Sequence, residues 1–315
     1  MLLLGRGYDR LRPHGWLPIM KAIVLKRAGS PDRFALEDVP KPVPEANQVL
    51  VRIHATSVTR GDVVMRKMPR LVAPLLGETP KSIPGHEFAG EVEAVGDNVT
   101  VFKIGDRVFG TTSGLTQGSY AEYICVPEDS IVTHIPPDVD YEEAAAVPVG
   151  AMTALHFLNA GNVGPGTTVL INGASGSVGS YAVQIAKHMG AHVTGVAGAS
   201  NAELVASLGA DAVIDYSKQD FTEGTEKYDV IFDAVGKTTA KKTEGVLAEH
   251  GRFVSTRKRR REKVEELNAI QDMVASGAVR ALVDRSYTLD QISEAHRYVE
   301  EGRKRGNVVV VVAQS

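Results

Sequence analysis

Val169–Lys187, VLINGASGSVGSYAVQIAK, runs an apolar strand into a glycine-rich turn and then into an amphipathic helix. Gly173, Gly176 and Gly179 fall in the turn, and Ala174 to Gly179 spells A-x-G-x-x-G. Glycines so placed let the chain turn tightly and let backbone approach a pyrophosphate, whose charge then sits on the N-terminus of the following helix. The pattern has the strand and helix around it that it requires. Gly173, Ala174, Ser175, Gly176, Ser177, Val178 and Gly179 are therefore read as a dinucleotide-binding loop.

The rhythm continues downstream through AHVTGVA, NAELVASLG, DAVIDY, YDVIFDAVG and GRFVS, apolar strands alternating with helix. This predicts an α/β fold with a doubly wound parallel sheet, taking ligands at the carboxyl ends of its strands. Upstream, from Met20 to about Tyr141, short strands such as QVLVRIHATSV and RVFGT are separated by Gly, Pro and Asp turns, as in a barrel-like domain. Between the two regions, DYEEAAAVPVGAMTALHFL puts acids before an alanine-rich helix that Pro148 interrupts. After a basic stretch come two helices and a closing strand, NVVVVVA, which is expected to pack back on the first domain. The expected organisation is an extension over 1–19, a strand-rich domain over 20–142 completed by 265–315, and a dinucleotide-binding domain over 143–264. Met1 to Ile19 has only a short apolar start before arginines, so it reads as a loosely ordered extension rather than a signal peptide or a membrane span.

A chain of 315 residues, 43% hydrophobic, suits a two-domain globular protein. Its formal charge of −3 sets up no global field for nucleic acid or an anionic membrane, which leaves a small molecule as the expected partner. The single cysteine, Cys125, excludes an intramolecular disulfide and a three- or four-cysteine zinc site, and it fits a reducing, cytoplasmic setting. The basic run Arg257 to Arg261 is balanced by Glu262, Glu265 and Glu266 and reads as a solvated loop opening a helix. Its place after a strand could also bring it to the cofactor cleft.

About 20 residues beyond the glycine turn, an Asp or Glu would hydrogen-bond the adenosine ribose of NAD. Here the chain reads GVAGASNAEL, with Ala197 and Gly198 in that place. Glu203 follows Ser200 by three residues, an S-x-x-E capping box that assigns it to the next helix start. That leaves room for a 2′-phosphate, with Ser200, Asn201, Tyr216 and Lys218 as donors. NADPH is the expected cofactor and NADH the alternative.

GHEFAGEVEAVGDNVTVFKIGDRVFG (Gly85 to Gly110), GSYAEYICVP (Gly118 to Pro127) and NGASGSVG with its helix together resemble the medium-chain dehydrogenase/reductase superfamily, and within it the zinc-free quinone oxidoreductase group. The likeness runs from about Met20 to Ala313. It implies a GroES-like catalytic domain, a Rossmann domain and an active cleft between them. Of the three catalytic zinc ligands in zinc-dependent relatives, the first position holds Thr59, the second holds His86, and the third falls near Val149. The lobe with four structural cysteines is missing, so no zinc is expected. The resemblance places Thr59 beside the nicotinamide, where it can hydrogen-bond the acceptor carbonyl, with Asp62 as an ion-pair partner fixing that loop. His86 is either a hydrogen-bonded part of the cleft wall or a proton donor near neutral pH, and Glu87 is expected to pair with a basic residue. Val235 and Gly236, in DAVG, fall where relatives' backbone meets the nicotinamide ribose. Relatives' tyrosine after the Thr59 segment is absent, and Tyr120 and Tyr123 sit in a strand period that suits packing.

The expected activity is hydride transfer to an apolar quinone or α,β-unsaturated carbonyl compound. A non-catalytic NADPH-binding protein is the second reading and a zinc-dependent alcohol dehydrogenase the third. The loop MRKMPRLVAPLLGETPKS is expected to shape the acceptor pocket. After GRFVST many members of the family that the chain resembles have about one further strand, often the one that pairs across the dimer; here that segment is expected to be missing, which leaves a monomer or another homodimer open.

Overall fold

The structure is a computed structural model that describes residues 18–68, 83–112, 117–258 and 260–312. The extension up to residue 17, most of the expected pocket loop (69–82) and Arg259 lie outside the described residues.

Two strands, β1 (Ile19–Leu25) and β2 (Phe34–Pro40), pair antiparallel as a separate ribbon. The first large sheet is built on β3 (Gln48–Ser57), which pairs with β4 (Glu87–Val95) and β6 (Tyr123–Pro127); β4 passes on to β5 (Arg107–Thr111) and then β7 (Ile131–His134). Val49, Val51, Ile53 and Ala55 of β3 are fully buried, which is why this strand sits centrally. Helix α1 (Arg60–Lys67) starts directly after β3 through a capping box between Thr59 and Asp62. Helix α2 (Tyr141–Ala146) is capped by Asp140, which accepts from Glu143 N at 2.8 Å. Pro148 ends that run and opens α3 (Pro148–Gly161), where its missing N–H costs nothing.

The second sheet holds β8 (Thr168–Asn172), α4 (Ser177–His188), β9 (His192–Ala197), α5 (Ala202–Ser207), β10 (Ala212–Asp215), β11 (Tyr228–Asp233), α6 (Ala240–Thr243) and β12 (Leu247–Ser255). Its five strands are parallel in the order β10-β9-β8-β11-β12. Val169, Leu170 and Ile171 of β8 are fully buried, as a strand covered on both faces must be. The chain then runs through α7 (Val264–Ala275) and returns to the first sheet as β13 (Val283–Thr288), α8 (Ile292–Glu301) and β14 (Asn307–Val311). β14 lies between β13 and β3. One core joins the two halves: Ala55, Phe109 and Val309 of the first sheet pack with α2, α3 and Val169, Ile171 and Phe232 of the second.

This architecture is the expected α/β fold, with a strand-rich sheet beside a parallel, Rossmann-like one. Two local expectations need correction. Ser200 does not cap a helix: Ala199–Asn201 forms a 3₁₀ turn that shifts the start of α5 to Ala202, with Asn201 at the N-cap and no side-chain cap. Cys125, whose place in a strand period suits a packed core thiol, is only half-buried in β6, and burial pushes its thiol up to about 11. Between β12 and α7 no strand occurs among the described residues.

Candidate active site

The glycine turn forms one wall of a cleft of about 700 Å³. Gly173 is at φ +84°, left-handed backbone that favours glycine. A side chain at Gly179 would lie 2.0 Å from the Gly173 carbonyl oxygen, so this glycine lets α4 close on the turn. Gly176 differs. Its φ of −83° and ψ of 176° suit any residue, and an added Cβ would meet only the Gly173 carbonyl, at 3.4 Å. Neither backbone nor packing demands glycine there, whereas a ligand lying close against the backbone does, so the turn fits a dinucleotide pyrophosphate. Arg60, Lys237, Lys242 and Lys304 line the same cleft, beside Asp220, Glu300 and Glu301, and are the cations there able to meet phosphate. Burial pushes the Lys304 ammonium down to about 8, against the pull of Glu87 and Asp284.

Arg60, the first residue of α1, also lines this cleft, and it follows directly on a hydrogen-bonded cluster built at the turn between β3 and α1. Thr59 N (2.8 Å) and Thr59 Oγ1 (2.6 Å) both donate to Asp62 Oδ2, and Asp62 N donates back to Thr59 Oγ1 at 3.1 Å. The other oxygen of Asp62 accepts from His86 Nδ1 at 2.5 Å. Burial opposes charge on both groups, but the pair overcomes it. Asp62 raises His86 by its charge and hydrogen bond, and His86 and Thr59 hold Asp62 below the usual carboxylate range. The result is a buried histidine–carboxylate pair in which Asp62 favours the protonated ring, and the second ring nitrogen, Nε2, has no partner among the described residues.

Glu87, next in sequence, makes no ion pair among the described residues, contrary to expectation. Ser57 Oγ donates to its Oε2 and Val149 N to its Oε1 at 2.6 Å. Burial pushes the carboxyl up to about 8, with these two hydrogen bonds pulling back. A neutral carboxyl can be held by a hydroxyl and an amide where an ionised one needs a cation. On the far side of the cleft, buried Asp233 accepts from Asn172 Nδ2 (3.0 Å), Val235 N (3.2 Å), Gly236 N (3.1 Å) and Thr238 N (3.0 Å), which fixes the turn after β11.

Of the residues singled out in the sequence, Gly173, Ser175, Gly176, Ser177, Val178, Gly179, Tyr216 and Val235 line the cleft together. Ala174 is fully buried beneath the turn, and Ser177 donates its hydroxyl to Asn307 Oδ1. Ser200, Asn201, Lys218 and Gly236 are not on the cleft wall; Lys218 is 3.7 Å from Asp215, Asn201 Nδ2 donates to Ser175 Oγ at 3.3 Å, and the Gly236 carbonyl accepts from Arg257 Nε at 2.6 Å. Thr59, Asp62 and His86 form their own cluster, joined to the cleft through neighbouring Arg60. Tyr120 is buried with its hydroxyl 3.2 Å from His296 Nε2, and Tyr123 lies under the Lys41 ammonium, both as packing predicts. Arg260 is turned inward onto Thr153, Glu262 and Glu266, so its charge is taken up by carboxylates. Sequence reasoning missed Arg60, Lys237, Lys242 and Lys304. Only Arg60, between Thr59 and Asp62 in a T-x-x-D helix start, had a readable signal.

Residues 45–137 match the family model described as alcohol dehydrogenase GroES-like domain, and residues 177–281 and 256–310 match two models described as zinc-binding dehydrogenase. The chain is 33% identical to a 2-methylene-furan-3-one reductase of Solanum lycopersicum, over 92% of this chain and 79% of that one. It is 32% identical to an NADPH-dependent alkenal/one oxidoreductase of Arabidopsis thaliana, with the same coverage of 92% and 79%. The solved structure of the quinone oxidoreductase from Coxiella burnetii superimposes with a TM-score of 0.81 at 29% identity, covering 94% of this chain and all of that one. Likeness of this extent, in sequence and in both sheets, makes the chain a member of the medium-chain dehydrogenase/reductase superfamily, in its quinone oxidoreductase-like group.

Proposed function

We propose that the protein is an NADPH-dependent, zinc-independent oxidoreductase that reduces a quinone or an α,β-unsaturated carbonyl compound. The observation that carries this reading is the glycine turn on a cleft that Arg60 also lines, with the hydrogen-bonded cluster of Thr59, Asp62 and His86 beginning at the residue beside Arg60. A nicotinamide dinucleotide bound in the cleft supplies hydride to an electron-poor carbon of the acceptor. Gly173, Gly176, Gly179 and the N-terminus of α4 would hold the pyrophosphate with help from Arg60, while Tyr216, Lys242 and Val235 on the same cleft would contact the rest of the dinucleotide. His86 gives its Nε2 proton to the acceptor oxygen as negative charge gathers there, leaving a neutral ring that Asp62 keeps oriented and solvent reprotonates. Thr59 commits its hydroxyl proton to Asp62, so it acts by aiming that pair. Conjugation spreads the charge, which suits a site whose stabilising groups are hydrogen-bond donors.

Zinc independence is supported by donor chemistry: a hydroxyl that caps a helix at position 59, an apolar side chain at 149, and no group of three His, Cys, Asp or Glu able to hold a metal among the described residues. NADPH is supported by the apolar end of β9 at Ala197 and by the cleft lysines. The test is oxidation of NADPH and of NADH, side by side, with 9,10-phenanthrenequinone and a simple enone, with and without a chelator. Faster NADPH turnover that survives chelation is expected. Loss of turnover on chelation would sink the zinc-free reading, a preference for NADH would sink the cofactor assignment, and binding without turnover would make the protein a nucleotide binder.

A further inference from the structure

The segment that re-enters the first sheet is bonded directly to the glycine turn. Gly306 N donates to Ser175 O at 2.9 Å, and Gly306 and Gly176 form an isolated parallel bridge. The next residue, Asn307, is buried, and its amide is fully used. Oδ1 accepts from Ser177 Oγ, while Nδ2 donates to Tyr181 OH at 3.1 Å and to Leu282 O at 3.2 Å. Tyr181 OH in turn donates to Ala146 O at 3.0 Å, so the amide joins α4, the end of α2, the helix-to-strand connection before β13, and β14. Side-chain polar groups buried this completely define one arrangement of the elements that meet there.

The Arg60 lining of the cleft refers to the same strand. Val58 N donates to Val308 O at 2.9 Å, and Val309 pairs with Ser57, so β14 fixes the end of β3 from which Thr59 and Arg60 emerge. The glycine turn and Arg60 are thus both measured from the start of β14.

We infer that Asn307 is a positioning residue for the cofactor site, holding the glycine turn in register with the sheet that carries Arg60, and that the Ser177 hydroxyl serves this tie and does not bind phosphate. The inference rests on the dinucleotide reading above. Loss of the tie leaves the turn to be ordered by the incoming cofactor, which weakens binding more than it slows the loaded enzyme.

The experiment is a double-mutant cycle read in NADPH affinity by fluorescence titration and in the rise of Tm that NADPH produces. Asn307→Leu, close in volume but without an amide, is expected to weaken NADPH by roughly tenfold and to shrink the NADPH-induced Tm rise, with kcat at saturating NADPH within about twofold of wild type. Ser177→Ala is expected to reproduce much of that loss, and the double variant to be no worse than Asn307→Leu alone. A merely structural role lowers Tm equally with and without NADPH and leaves affinity unchanged, and that result overturns the inference. Additive losses also overturn it, because Ser177 would then be acting on the cofactor directly. Should Asn307→Leu not fold, Asn307→Ala takes its place in the same cycle. Wild-type protein that binds no NADPH would instead refute the cofactor assignment, whereas equal binding by wild type and variants removes this inference alone.

Discussion

Glu87 is a carboxyl kept neutral by its surroundings, and this makes folding stability depend on pH in a definite direction. Its ordinary value of 4.5 is raised to about 8 in the folded protein, chiefly by burial. Between those values the folded state holds a proton that the unfolded chain has released, so stability falls as pH rises through the window. His86, raised above 6.5 because Asp62 outweighs burial, adds to the fall in the same sense; Asp62 itself, lowered from 3.8, acts only in more acid solution. Urea unfolding at pH 5 and at pH 8 is expected to show wild type losing on the order of 3 kcal/mol to Glu87 alone. Glu87→Gln keeps an acceptor for Val149 N and does not titrate, so it should lose much less. Equal losses in the two proteins would mean that Glu87 ionises freely in the fold. Nothing in GHEFAGEV foretells this environment, because Ser57 and Val149 reach Glu87 from 30 and 62 residues away. The pairing of His86 with Asp62, 24 residues apart, was equally hidden, although each residue alone was recognisable.

In the glycine turn, two glycines with the same look in sequence carry different duties. Gly179→Ala would drive a methyl into the Gly173 carbonyl and is expected to cost about 1–3 kcal/mol of stability as well as cofactor affinity. Gly176→Ala, with room for its Cβ, is expected to stay within about 0.5 kcal/mol of wild type in thermal or urea unfolding. It should nonetheless weaken NADPH by about tenfold or more, because the methyl takes the place of the ligand's close approach. A Gly176→Ala protein that binds NADPH normally would show that the pyrophosphate lies elsewhere. The elements around this turn were legible because their strands are continuous buried runs and α4 keeps a helical period. β2, β7 and β13 were not. FALEDVP alternates at a partly exposed ribbon, IVTH is four residues long, and VDRSYT is a polar edge strand, so none carries the apolar signature that burial imposes. Helix α1 was overlooked because a T-x-x-D cap precedes a mostly polar helix. Lys304 reaches the cleft only through the return of the chain, which no local pattern announces.

Among the described residues the parallel sheet stops at β12, whose exposed Glu249, His250 and Arg252 discourage another strand from adding to its edge. Sedimentation is therefore expected to give the mass of a single chain at micromolar concentration, and a stable dimer would show that an edge or face does pair. The order in which the two sheets can be finished is a separate matter. Strands β8 to β12 lie within one uninterrupted stretch, Thr168 to Ser255, whereas the first sheet needs β14 beside β3, Val309 against Ser57. On a translating ribosome the cofactor-binding half can fold while the half that presents Thr59 and His86 still waits for β14, the partner of β3 that is made after every other strand of the described residues. Until then the end of β3, Ala55 to Ser57, has an unpaired edge, the sort that chaperones guard and that aggregates exploit. Substitutions in Asn307–Val311 should accordingly lower the yield of folded protein during synthesis by more than they lower the stability of molecules that have already folded.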